Sequence, residues 1–166
     1  MKKQLLTIFT LAFLLSACGQ NPTSFHEMAL DMSKGSAPKI AAFVLNEAHI
    51  PNIVYLDARE KEEFEVSHIK GAIFVGYEDF DIATLPELDK KTPIVVYCSV
   101  GYRSEKIAEV FIQNGYTQTQ NLFGGIFDWI NKGYSVYDTN GKKTLKVHGY
   151  NKSWGKWLTK GEKVYE

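Results

Sequence analysis

Apolar side chains recur along this chain with two different periods, and the switches between them mark its elements. Phe25, Met28, Ala29 and Met32 fall at i, i+3, i+4 and i+7, one face of a helix, and Gly35 is the expected stop. Residues 38–47 read as a second helix, with Pro38 tolerated in the first turn and Ile40, Val44 and Ala48 on one face. The continuous run 53–56 predicts a buried strand that leaves through Asp57-Ala58-Arg59 into a charged short helix over 60–65. Segment 72–75 is the next strand and 94–97 a central one. Over 103–114, Ile107, Val110 and Phe111 share a helical face, and Gly115 is placed as its C-terminal stop. A strand over 119–122 and a short helix over 127–131 complete the series. Strands alternating with helices at this spacing predict an α/β fold with a parallel sheet covered on both faces.

Beyond residue 133 the pattern changes. Asn140-Gly141, in Asp138-Thr139-Asn140-Gly141-Lys142, supplies the positive φ angles of a tight turn and predicts a hairpin. Segment 134–166 holds seven lysines against Asp138, Glu162 and Glu166, interleaved with Tyr137, Tyr150, Trp154, Trp157 and Tyr165. Basic and aromatic together suit a docking surface for anionic lipid or protein. Trp154 and Trp157 stand at helical spacing, so the preferred reading is a hairpin and helix whose aromatics seal the domain.

The other end has a different composition. Lys2 and Lys3 precede an apolar run, 5–15, that closes in Leu15-Ser16-Ala17-Cys18. The run is shorter than the ~20 residues a spanning helix needs, and small residues before the Cys suit cleavage. This resembles a bacterial lipoprotein signal, which implies lipid on Cys18 and a domain held outside the cytoplasm at a cell-envelope membrane, periplasmic where two membranes exist. The expected organisation is a signal at 1–17, a lipidated tether at 18–24, a helical segment at 25–51, a main domain at 52–138 and an extension at 139–166. Removing Lys2 and Lys3 with the leader leaves 17 basic against 19 acidic side chains, a formal net charge of −2. That balance gives no whole-protein case for nucleic-acid binding.

The chain has two cysteines, and lipidation of Cys18 leaves Cys98 as the one free thiol. Cys98 ends the central strand, and Ser99-Val100-Gly101-Tyr102-Arg103-Ser104 runs from it into a helix start. Unpaired N–H groups and the helix dipole favour an anion there, so the nucleophilic thiolate is favoured over the thiol. Gly101 lets the loop turn its N–H groups inward, and Arg103 adds a planar fork suited to an oxyanion. An inert, buried Cys is the plainer alternative.

Four motifs now align with one family. Tyr55-Leu56-Asp57-Ala58-Arg59, Ser67-His68-Ile69-Lys70-Gly71-Ala72, the Cys98 loop and Gly124-Gly125-Ile126-Phe127-Asp128-Trp129 resemble, in order and spacing, the rhodanese homology domain. The resemblance covers about residues 52 to 138. It implies a five-stranded parallel sheet with helices on both faces, a reactive Cys98 at the base of a cradle loop, and sulfur transfer through a Cys98 persulfide. Ser99, Val100, Gly101, Tyr102 and Arg103 become the expected binding loop, with Arg103 holding an anionic donor such as thiosulfate. A thiol, cyanide or protein Cys is the expected acceptor, and neither metal nor organic cofactor is called for. Asp57, Arg59 and Ser104 are candidate supporting residues, although Asp57 and Arg59 also read as a structural ion pair. His68 reads as structural, Trp129 as core, and Gly124 and Gly125 as sites of close backbone approach.

Two other function classes use the same residues. A phosphatase or arsenate reductase also cradles an oxyanion with Cys and Arg, but family phosphatases place five residues between them and here four intervene. A binding or redox-sensing module would use the scaffold without turnover.

Overall fold

The computed structural model describes residues 22–48 and 50–165. Cys18 and the leader lie outside the described residues. Helix α1 (Phe25–Met32) starts at a capping box in which Ser24 and Glu27 exchange hydrogen bonds, and it ends at Ser33. It therefore stops before Gly35. The chain then forms a strand, β1 (Lys39–Ile40), where the sequence pattern predicts the start of a helix. Tertiary pairing overrides the local pattern. The Pro38 and Ile40 carbonyls accept from the Asn121 and Phe123 N–H groups at 2.7 and 2.9 Å. Helix α2 (Ala42–Glu47) follows, burying Ala42 and Leu45 and leaving Val44 outside.

Strand β2 (Val54–Asp57), helix α3 (Lys61–Val66), edge strand β3 (Ile73–Phe74), strand β4 (Ile94–Tyr97), helix α4 (Tyr102–Gln113), strand β5 (Thr119–Leu122) and helix α5 (Gly125–Asn131) complete the main layer. The sheet runs β1-β5-β4-β2-β3 and every pairing is parallel. Side chains of β4 alternate between two cores, as a two-residue period requires. Val95 and Tyr97 join Met28, Leu45, Ile126 and Phe127, whereas Ile94 and Val96 join Ile107, Ala108 and Phe111 of α4. Burial on both faces explains why β4 reads as an unbroken apolar run. Helix α4 stops where expected, with Gly115 at φ 87°.

The extension opens with the expected hairpin, β6 (Val136–Tyr137) and β7 (Lys143–Thr144), whose turn is tied by Asp138 Oδ1 accepting from the Asn140 and Lys142 N–H groups. It continues into the expected short helix, here set between two strands that periodicity does not reveal. Strand β8 (Lys146–His148), helix α6 (Lys152–Gly155) and strand β9 (Glu162–Val164) form a parallel pair with its own crossover, and β8 packs on α3. Val147 and Leu158 enter the same core as Val95 and Tyr97, with Trp154 and Trp157 packed against it. Among the described residues no helix is long and apolar enough to cross a membrane.

Candidate active site

Parallel strands place their C-terminal ends at one edge of the sheet, where open α/β sheets bind ligands. Cys98 follows β4, the middle strand, at that edge. Its side chain is 1% exposed but forms part of the wall of a cavity of about 420 Å³. The strand end is pinned from α5: the Ile126 and Phe127 N–H groups donate to the Cys98 and Ser99 carbonyls at 2.8 and 3.1 Å. This approach requires Gly125, where a Cβ would overlap the Cys98 carbonyl oxygen.

The loop turns at Gly101, which has φ 112° and precedes the first residue of α4. Its N–H donates to Cys98 Sγ at 3.1 Å. Among the described backbone groups, this is the donor bonded to the sulfur. Ser104 Oγ lies 3.4 Å from Sγ and 2.8 Å from Asn121 Oδ1, while Asn121 Nδ2 donates to the Gly101 carbonyl and to Glu105. Ser104 therefore supports the sulfur from behind the cavity. Asn121, in the middle of a strand with no motif around it, carries no sequence signal for this role.

Arg103 differs from its expectation as an open anion anchor. Nη1 donates to Glu63 Oε2 at 2.7 Å and Glu60 Oε1 at 3.2 Å, and Nη2 donates to Glu63 Oε1 and Ser99 Oγ, both at 3.0 Å. Both terminal nitrogens thus face carboxylates. Burial alone would raise the Glu63 pKa, but the Arg103 fork and the Arg59 charge outweigh it and hold the carboxyl below the ordinary range. Ser99 Oγ also donates to Glu63 at 2.7 Å, so α3 and the Cys loop are locked together. Val100 is buried in the loop, and Tyr102 stands 50% exposed at the rim.

Asp57 and Arg59 do not reach the cavity. Both are fully buried, with Arg59 Nε and Nη2 on the Asp57 carboxylate at 2.9 and 2.7 Å and Nη2 also donating to the Ser67 carbonyl at 2.6 Å. Their place is the brace joining β2 to the turn after α3, so the ion-pair reading replaces a role at the site. His68 stacks on Phe64 at 4.1 Å, with Nδ1 3.1 Å from the Phe64 carbonyl, as a structural histidine does. Trp129 lies in the core.

The remaining walls come from unexpected places. Met32 enters from α1, Tyr77 and Glu78 from the loop after β3, and Tyr150 and Trp154 from the extension. Tyr150 has φ 62°, and its ring lies 5.3 Å from the Arg103 guanidinium carbon. Its N–H donates to His148 Nδ1 at 3.2 Å. Among the described residues no cluster of three or more His, Cys, Asp or Glu side chains could hold a metal ion.

The fold and the site together are those of an α/β domain with a central-strand thiol held under a glycine-turned loop at the open edge of its parallel sheet. Residues 41–132 match the rhodanese-like domain, and the chain belongs to that family. It is 29% identical over 102 residues to a thiosulfate:glutathione sulfurtransferase of Saccharomyces cerevisiae, covering 54% of this chain and 73% of that protein. It is 30% identical over 122 residues to a tRNA uridine(34) hydroxylase of Hamiltonella defensa, covering 70% of this chain but only 32% of the hydroxylase. The chain thus spans about a third of that relative's length. A rhodanese-related protein of Thermoplasma volcanium superposes with a TM-score of 0.50 at 31% identity, covering 60% of this chain and 96% of that one. A Bacillus halodurans protein shares the fold with a TM-score of 0.54 at 24% identity, covering 63% and 80%.

Proposed function

We propose that this protein is a sulfurtransferase that carries sulfane sulfur as a persulfide on Cys98, and that it works outside the cytoplasm, lipid-anchored through Cys18. The observation that carries the catalytic reading is Cys98 Sγ at the cavity wall with the Gly101 N–H aimed at it. The Cys98 thiolate attacks the outer sulfur of a sulfane donor, such as thiosulfate or a polysulfide. A bond forms between the two sulfurs, the donor's S–S bond breaks, and the leaving group, sulfite in the case of thiosulfate, departs with the electron pair. An acceptor thiolate or cyanide then attacks the terminal sulfur, and Cys98 leaves as a thiolate. Electrons balance without an outside oxidant. The Gly101 N–H is a preorganised donor to the sulfur throughout. The name of the yeast relative supports the same chemistry with a thiol acceptor.

The Arg103 terminal nitrogens are engaged by Glu60, Glu63 and Ser99, so any tetrahedral oxyanion, thiosulfate as much as phosphate or arsenate, must displace a partner to reach them. What sets this loop apart from the five-residue phosphatase cradle is its four residues between Cys98 and Arg103. Cyanolysis tests the catalytic reading: with thiosulfate as donor, wild type should produce thiocyanate well above the uncatalysed rate and Cys98→Ser should not. Equal rates in the two proteins would overturn it in favour of a non-catalytic module. Metabolic labelling with a fatty acid tests the anchor. Wild type should be labelled and Cys18→Ser should not, while equal labelling would refute lipid at this position.

A further inference from the structure

The cavity over Cys98 has walls that a simple anion site would not have. Tyr77, Tyr102, Tyr150 and Trp154 give it four aromatic side chains, while Glu60 and Glu78 add two carboxylates. Among the described lining residues Arg103 is the one cation, and that charge is already countered by Glu63 and Glu60. Aromatic faces beside carboxylates form a surroundings that attracts cations. A dianion such as thiosulfate meets like charge at the same opening.

The backbone at Tyr150 gives independent support. A bulky residue at φ 62° is an outlier, and such strain persists where the surroundings over-determine it. Here the His148 hydrogen bond and the β8–β9 pairing hold the chain so that a 48% exposed ring stands over Arg103 at the cavity wall. Tyr150 and Trp154 both lie beyond residue 132, where the family match ends. This part of the wall is thus supplied by the chain's own extension.

We infer that the aromatic and acidic mouth formed by Tyr150, Trp154, Glu60 and Glu78 admits a small cationic organic sulfur compound to Cys98 in preference to an anionic one. The inference deepens the sulfurtransferase reading by naming the substrate class, and it rests on that reading for its biological meaning. Its steric and charge content can be read without any sulfur transfer. Two methanethiosulfonates of similar size, one ending in trimethylammonium and one in sulfonate, modify a thiol by the same step. The thiolate attacks the sulfenyl sulfur, a disulfide forms, and methanesulfinate leaves with the electron pair.

The test measures the rate of Cys98 modification by each reagent in the full chain, quantified on the Cys98 peptide by mass spectrometry. Each rate is divided by that for free 2-mercaptoethanol, which removes intrinsic reactivity. The expected cation-to-anion preference is about tenfold, and Glu78→Gln, at an exposed position, should cut it severalfold. Tyr150→Gly suits the left-handed backbone and should fold, yet it should lower the preference, while Tyr150→Phe keeps the ring and should retain it. A normalised ratio near one in wild type, or an unchanged ratio in both Glu78→Gln and Tyr150→Gly, would overturn the inference. Failure of the sulfurtransferase reading would show separately, as absent cyanolysis.

Discussion

At Gly101 the backbone takes φ 112°, its N–H reaches the reactive sulfur at 3.1 Å, and an added Cβ would stand 2.8 Å from Ser33 Oγ. Gly101→Ala should therefore cost about 1–2 kcal/mol in a denaturant titration and lower the cyanolysis rate at least tenfold by misaiming the donor. Wild-type values for both would remove the cradle from the account. Glu63 makes a second residue-scale case. Because its carboxyl is held below the ordinary glutamate value, its stabilising share is present above about pH 4.3 and is lost as pH falls through the lower folded value. Glu63→Gln should destabilise by about 3–5 kcal/mol near neutrality by leaving Arg103 poorly paired, and the acid slope of the unfolding midpoint should flatten. The loop of Cys98 and Gly101 was legible because each carries a chemical signature within one short segment, whereas Arg103 read as an open anion anchor and its carboxylate partners did not show. Glu63 was not legible, since its partner lies forty residues away and a charged helix looks the same whether or not one carboxylate turns inward.

Elements show the same division between local and distant causes. Helix α4 and strand β4 follow their patterns because their own side chains decide the outcome: twelve residues of amphipathic period and four of continuous apolar character. Strand β1 is only two residues long and owes its form to hydrogen bonds with β5, so a local reading extends α2 across it. Strands β8 and β9 escape for the same reason, whereas the helix between them was expected from Trp154 and Trp157; together they form the β8–α6–β9 unit. Its membership of the core predicts that Leu158→Ala costs about 2–5 kcal/mol, read as a shift of the single unfolding transition, and a change within about 0.5 kcal/mol would make the unit a loose appendage. Acid should loosen it as well. Burial lowers the His148 pKa, so its share of stability is present above about pH 6.5 and is lost as pH falls through the lower folded value. Protonation at Nδ1 would also break the bond from the Tyr150 N–H. Tryptophan fluorescence should thus change as pH falls below about 6.5 in wild type, and His148→Asn, which keeps an acceptor but cannot titrate, should abolish that change.

For the whole molecule, a parallel sheet brings one strand end to the centre of an open edge, and glycine-permitted contacts from α4 and α5 hold a thiol there. Helix α1 and the extension then close the cavity from outside the family's matched segment, with Met32, Tyr150 and Trp154. The four sequence motifs made the sheet and the cradle legible, whereas the cavity's outer wall needed the three-dimensional path of the chain. The central claim is that sulfur resides covalently on Cys98 during the reaction. Peptide mass spectrometry after exposure of the full chain to sulfane donors tests it most directly. One added sulfur, roughly 32 Da, should be found on the Cys98 peptide of wild type and vanish on addition of cyanide; an unmodified Cys98 peptide across thiosulfate, mercaptopyruvate, polysulfide and cationic organic persulfide donors would contradict the account.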